Sequence, residues 1–141
     1  MNDRAKKLLV FGGSGLFGSN WLLKCAGEYN TAFTYNRQFI AISNAKAFKF
    51  DVFEDNLDDL LDETRPDIVL NAIGLADVDL CQKQCQRAIH LNTDFPAKLA
   101  ACTHKLKSKL VHISTDHLFD GSKDCVDENE TLNPINHYGK T

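Results

Sequence analysis

The sequence lacks most of what would mark a membrane-bound, secreted or nucleic-acid-binding chain. No apolar run approaches the roughly 20 residues that span a bilayer. The polar stretch Met1 to Lys7 leads straight into a short apolar segment, not a signal-peptide core. Basic charge is not in surplus: the formal net charge is −3 and the pI about 5.9, so no counterion-driven grip on a nucleic acid is expected. Lys105, Lys107 and Lys109 stand where a helix gives way to a strand, a place cations favour for the helix dipole. The five cysteines (Cys25, Cys81, Cys85, Cys102 and Cys125) are odd in number and without paired spacing, which argues against a disulfide framework. Cys81 and Cys85 would share a helix face, but no second ligand pair follows at zinc-site spacing, so no metal is expected. Asn129-Glu130-Thr131 is a glycosylation sequon by pattern alone. These absences point to a cytoplasmic globular domain of ordinary composition, occupying residues 1–141.

What is present is an alternation of short apolar runs and amphipathic stretches, with no internal repeat. Lys7 to Phe11 (KLLVF) reads as a buried strand that ends on glycines. Leu16 to Ala26 has helical spacing, with Gly27 as its stop. Thr31 to Tyr35 is a second strand, residues 37–46 fit no period, and Ala47 to Val52 alternates as a third strand with Phe48 and Phe50 on one face. Leu57, Leu60 and Leu61 give Asp55 to Thr64 an amphipathic helical pattern. After Pro66, Ile68 to Leu70 begins a buried strand that runs into Asn71-Ala72-Ile73-Gly74. A helical stretch covers roughly Leu80 to His104, either kinked or divided near Asn92 to Pro96. Leu110 to Ser114 is the fifth strand, and residues 116–136 are polar and turn-forming. Such alternation predicts an α/β fold with a parallel sheet and right-handed crossovers.

The first strand meets the first helix through Phe11-Gly12-Gly13-Ser14-Gly15-Leu16-Phe17-Gly18. Glycines there allow a tight turn, contact between backbone and a pyrophosphate, and close packing of helix on sheet. The helix N-terminus supplies amide donors and partial positive charge to phosphates. The context, between a strand and a helix at the first βα turn, is what a dinucleotide-binding fingerprint requires. Gly12, Gly15, Leu16, Phe17 and Gly18 are therefore candidate cofactor contacts in a Rossmann-type doubly wound sheet. NAD-binding chains usually carry an acid at the tip of the second strand, whereas this chain reads Tyr35-Asn36-Arg37. Arg37 would pair with a 2′-phosphate, so NADPH is preferred over NADH, with Asn36 left to serve NAD's ribose in the other case. Asp51 and Val52 at the third strand's end, and Ala72, Ile73 and Gly74 at the fourth's, should line the same crevice outside the strands' carboxyl ends.

Several motifs carry a resemblance. They are Asn71-Ala72-Ile73-Gly74, Asp77-Val78-Asp79-x-Cys81, Asn92, Ser114-Thr115-Asp116-His117-Leu118-Phe119-Asp120-Gly121, and Asn133-Pro134-Ile135-Asn136-His137-Tyr138-Gly139-Lys140. From about Leu8 to Thr141 the chain resembles the dTDP-4-dehydrorhamnose reductase family, of the extended short-chain dehydrogenase/reductases. The resemblance implies NAD(P)H-dependent reduction of the 4-keto group of a nucleotide-linked deoxysugar. It implies that Thr115 hydrogen-bonds the sugar carbonyl, that Tyr138 is the general acid, and that Asp116 and His117 lie near the substrate. A free tyrosine titrates near 10, so such a phenol works beside a cation. The family's lysine would fall at position 142, one past Thr141; Lys140, two residues beyond Tyr138, points elsewhere on a helix.

His117 departs from the family, which usually has tyrosine there. His112, inside the fifth strand, reads as a satisfied histidine, and Asp120 as a turn former. The resemblance also implies that the sheet is truncated before its last strands and the substrate domain, that the 141-residue piece binds cofactor weakly without turnover, and that the longer parent is a homodimer. Two other readings share these motifs: an NADP-binding regulatory subunit like the β subunit of methionine adenosyltransferase, and a sugar-nucleotide epimerase or dehydratase of the same extended family.

Overall fold

The computed structural model describes residues 5–25 and 27–141. The first four residues of the polar N-terminal stretch, and Ala26, the predicted end of the first helix, lie outside the described residues. The chain forms two compact units. One holds the chain up to Ile73 together with Pro96–Ile113; the other holds Gly74–Phe95 and Ser114–Thr141.

The first unit is a parallel sheet with helices on it. Its strands are β1 (Lys7–Phe11), β2 (Asn30–Tyr35), β3 (Ala45–Lys49), β4 (Ile68–Asn71) and β5 (Lys109–His112), ordered β3-β2-β1-β4-β5 and all parallel. Its helices are α1 (Leu16–Cys25), α2 (Leu57–Thr64) and, after two short helices of the second unit, α5 (Phe95–Leu106). The strand order steps outward from β1 to β3, then restarts at β4 on the other side of β1. Right-handed crossovers therefore put α1 on one face and α2 and α5 on the other. Under α1, Leu22 closes on Leu8, Val10, Phe33 and Leu70 in a cluster edged by Trp21, Ile40 and Ile42. Each such fully buried side chain contributes about 1.5–3 kcal/mol. The pleat sends Leu9 and Phe11 to the opposite face, where the Phe11 ring meets Phe50 edge-on at 5.5 Å. There α5 and α2 are linked by the Cys102 thiol and the Asp58 carboxylate, 3.4 Å apart. This is the doubly wound sheet that the alternation predicts.

Several boundaries differ from the sequence reading: the third strand begins at Ala45, α2 begins at Leu57 and not Asp55, and the fifth strand is Lys109–His112 and not Leu110 to Ser114. The third strand ends at Lys49, so Asp51 and Val52 lie in the turn beyond it. The reason is local: Asp55 is not helical but turns back, its carboxylate accepting the Asp51 N–H at 2.7 Å and its own N–H reaching the Asp51 carbonyl at 2.9 Å. Asn56 then caps α2 by accepting from the Asp58 N–H, and Arg65 closes the helix in the left-handed region at φ 45°.

The second unit begins with α3 (Val78–Lys83), capped by the Asp77 carboxylate at the Leu80 N–H, and α4 (Cys85–Ile89). The long predicted helix thus breaks at Gln84, and again in a π turn over His90–Asp94 that leads into α5. Pro96 has no N–H to offer the Asn92 carbonyl four residues back. The turn widens, and the Phe95 N–H bonds to the His90 carbonyl. A 3₁₀ turn (Asp116–Leu118) and α6 (His137–Lys140) complete the unit. Among the described residues no helix is long and apolar enough to cross a membrane.

Candidate functional site

In the first unit the candidate residues gather at the carboxyl ends of the strands. Gly12 leaves β1 with φ +77°, a left-handed conformation open to glycine, and its N–H donates to the Thr34 hydroxyl at 3.1 Å. The Gly13 N–H reaches the Thr34 carbonyl at 2.9 Å, and the Gly15 N–H returns to the Gly12 carbonyl at 3.0 Å. Gly18, in the first turn of α1, lies so close to the loop that a Cβ there would stand 2.3 Å from the Gly12 carbonyl oxygen. The loop is thereby folded down onto the helix it precedes. The first-turn amides of α1, at Leu16, Phe17 and Gly18, have no carbonyl one turn earlier within the helix, so donors and dipole face whatever binds the loop. Leu16 and Phe17 are exposed.

The end of β4 meets this loop. A Cβ on Gly12 would touch the Ala72 carbonyl oxygen at 3.0 Å and the Ile73 side chain at 3.1 Å, so Ala72 and Ile73 are neighbours of Gly12. The tips of β2 and β3 are tied by the Asn36 amide, which donates to the Asp51 carboxylate at 3.2 Å. The other Asp51 oxygen accepts the Phe53 N–H at 2.9 Å. An acid therefore does stand at the tip of β2, supplied from the turn after β3 and so outside residues 31–37. Arg37 is exposed and Val52 half-buried.

Asn71 stands in one of the quoted motifs without a role read from it, and Thr34 and His112 are not cofactor candidates by sequence, yet the three hold the floor of the site. Asn71 is fully buried. The Ile73 N–H donates to its side chain at 3.1 Å, which fixes that atom as Oδ1; its amide nitrogen is the donor toward His112 Nδ1 at 3.1 Å. His112 Nδ1 then accepts, so the ring is neutral with its proton on Nε2. Partial burial pushes the His112 imidazole below its ordinary pKa, in agreement. His112 is the satisfied histidine that its place in a strand suggests.

The second unit carries the other candidates. Gly74 is exposed, and the next residue, Leu75, is held by Asn92 from the π turn: Oδ1 accepts the Leu75 N–H at 2.8 Å and Nδ2 donates to the Leu75 carbonyl at 3.1 Å. The same Nδ2 reaches Thr141 Oγ1 at 3.1 Å. Buried Cys81 donates to the Leu75 carbonyl at 3.1 Å, and burial raises its thiol pKa. The Thr115 hydroxyl caps the 3₁₀ turn by accepting the His117 N–H at 3.2 Å, and it lies 3.4 Å from the exposed Asp116 carboxylate. That turn packs on α6, where the Tyr138 ring stands edge-on to His117 with centroids 5.2 Å apart. Thr115, His117 and Tyr138 are thus carried by two elements in contact. Asp120 accepts from the Ser122 N–H and Asn133 Nδ2, both at 2.8 Å. These bonds, those to Ser122 first, draw its pKa down to about 2. It is a turn former, as expected, and it pins the loop that leads to α6.

A parallel sheet that reverses its strand order at β1, with a glycine loop and a helix N-terminus at that reversal, is a Rossmann-type architecture. The chain belongs to the family described as RmlD substrate binding domain, whose model matches residues 6–141. This is the family to which its motifs point. A dTDP-4-dehydrorhamnose reductase from Burkholderia thailandensis is 33% identical over 81 residues, covering 57% of this chain and 27% of the relative. Methionine adenosyltransferase 2 subunit beta from Danio rerio is 29% identical over 146 residues, covering 96% of this chain and 41% of the relative. The crystal structure of a hypothetical dTDP-4-dehydrorhamnose reductase from Sulfolobus tokodaii superposes with a TM-score of 0.86 at 30% identity, over 95% of this chain and 48% of that one. The chain spans about half or less of the length of each of these relatives.

Proposed function

We propose that this chain is the cofactor-binding part of an NAD(P)H-dependent reductase acting on the 4-keto group of a nucleotide-linked deoxysugar. The observation that carries the reading is the loop Gly12 to Gly18, pressed onto α1 so that only glycine fits at Gly18, at a helix N-terminus whose first-turn amides have no carbonyl partner within the helix. That cradle fits a diphosphate. Gly12, Gly15, Leu16, Phe17 and Gly18 would hold it, with Ala72, Ile73 and Gly74 beside the rest of the dinucleotide. Asn36, Asp51 and Val52 would take its ribose and base, and Arg37 would favour NADPH by pairing with a 2′-phosphate.

A nicotinamide held there would supply the hydride that reduces the keto carbon. The Thr115 hydroxyl holds the keto oxygen, and the Tyr138 phenol gives that oxygen its proton as the alcohol forms. Asp116 and His117 lie on the same turn as Thr115 and would face the sugar nucleotide.

The reading is supported by the family membership and by the reductase names of two of the relatives. Its test is the longer parent protein mixed with NADPH and a dTDP-4-keto-6-deoxysugar. Oxidation of NADPH that is lost in Tyr138→Phe supports the assignment, whereas oxidation that survives the substitution removes Tyr138 from the role. The 141-residue chain alone is proposed to bind NADPH weakly and to show no turnover. A second reading, a regulatory subunit that binds NADP without reducing anything, is favoured by the similarity to methionine adenosyltransferase 2 subunit beta across 96% of this chain. NADPH binding without sugar-nucleotide reduction, together with capture of a synthetase partner, would select it.

A further inference from the structure

Asn136 lies outside every role assigned above, yet its geometry determines what His117 presents. It caps α6: its side chain accepts the Gly139 N–H at 2.8 Å. A backbone N–H only donates, so the accepting atom is Oδ1, and the remaining atom of the amide is the donor Nδ2. That nitrogen is 3.1 Å from His117 Nδ1. Two donors do not bond to each other, so His117 Nδ1 is the acceptor and the ring's single proton is on Nε2. The ring is then braced on a second side by the Tyr138 edge. Its backbone is braced too, because a Cβ on Gly139 would stand 2.1 Å from the His117 carbonyl oxygen, so the first turn of α6 lies directly against residue 117.

We infer that Asn136 is a positioning residue. It fixes the tautomer of His117, so that the ring offers an Nε2–H donor, and not a lone pair, to an acceptor oxygen bound beside Tyr138. The fitting ligand group is a sugar hydroxyl, a keto oxygen or a diphosphate oxygen. The ligand half of this inference rests on the reductase reading; the tautomer half does not. The device also gives His117 a means to replace a tyrosine hydroxyl, because both present one X–H at the end of a planar ring.

The test is long-range ¹H–¹⁵N NMR of the His117 ring in the 141-residue chain, at a pH well above the ordinary histidine range, compared among wild type, Asn136→Asp and Asn136→Ser. Aspartate and serine both remain good caps, so α6 and the Gly139 amide signal should persist. Wild type should show the proton on Nε2 alone. In Asn136→Asp the facing atom becomes an acceptor, and the proton should move to Nδ1. In Asn136→Ser the side chain is too short to reach the ring, and His117 should give the averaged pattern of a free imidazole. If the Nδ1 signal is the same in wild type and Asn136→Asp with the cap intact, Asn136 does not set the tautomer and the inference is overturned. Either result holds whether or not the parent protein reduces a sugar nucleotide, since the measurement uses neither cofactor nor substrate.

Discussion

Gly18→Ala tests the glycine loop most directly. The added methyl would meet three backbone atoms: the Gly12 carbonyl oxygen at 2.3 Å, Gly13 Cα at 2.9 Å and the Gly12 carbonyl carbon at 3.0 Å. None of these is the end of a flexible side chain, so either the loop lifts from α1 or the helix shifts outward. Overpacking of this kind costs about 1–3 kcal/mol where neighbours can yield, and backbone yields least. The intrinsic preference of a helix for alanine over glycine returns about 1 kcal/mol. A net loss of about 2 kcal/mol is expected, which lowers Tm by roughly 4–8 °C for a domain of this size. Gly15→Ala is the control, because its methyl would meet only the Gly12 carbonyl oxygen, at 3.2 Å. Thermal unfolding of both variants, with NADPH titration of each, makes the comparison. Gly18→Ala should be clearly less stable than Gly15→Ala and should bind NADPH at least tenfold more weakly than wild type. Equal stability of the two, with unchanged NADPH affinity, would refute the claim that close approach at Gly18 shapes the cradle.

Other consequences are open to measurement. His112 is held neutral below its ordinary pKa, so the unfolded chain binds the extra proton first. The stabilising effect is complete above the ordinary value near 6.5 and is lost as pH falls below it toward the lower folded value. Urea midpoints at pH 7.5 and pH 5 should differ less in His112→Gln than in wild type. Asp120 has the depressed pKa of a hydrogen-bonded carboxylate. Its contribution is present above the ordinary aspartate range and disappears as pH falls through about 2; Asp120→Asn should speed amide exchange at Ser122 already at neutral pH. Arg37→Ala should weaken NADPH binding by tenfold or more while leaving NADH binding within twofold, and equal losses for both would remove the 2′-phosphate role. In the longer parent, Tyr138→Phe should lower kcat by about 10²–10⁴-fold with little change in KM, by initial-rate measurement.

The periodic parts of the fold were legible because their signals are local. KLLVF running into glycines, the Leu57, Leu60 and Leu61 spacing, and the IVLN run (Ile68–Asn71) each carry their own pattern, and all became the expected elements. The glycine loop was legible for the same reason, since strand, turn and helix are contiguous. The third strand was misplaced by a side chain: the Asp55 carboxylate takes the Asp51 amide, and alternation in AFKFDV says nothing of that. The three asparagines that hold the candidate sites, Asn71, Asn92 and Asn136, were visible within motifs but not in their roles. Their partners lie 41, 17 and 19 residues away, and no window of sequence contains them. One signal was available. Asparagine is a poor helix former, and Asn92 sits inside an otherwise helical run, where it is kept only if its side chain has bonds to make.

The triple use of Asn92 also sets how little that position tolerates. Its acceptor is spent on the Leu75 N–H, and its nitrogen on the Leu75 carbonyl and Thr141 Oγ1. Aspartate has the same shape but two acceptors, so it would press negative charge against a carbonyl oxygen. Glutamine has the right atoms but one methylene too many for the same reach. The slow loss of ammonia from the Asn92 side chain would therefore be a lesion here and not a neutral ageing mark, loosening the Leu75 segment and the Thr141 end of α6 together.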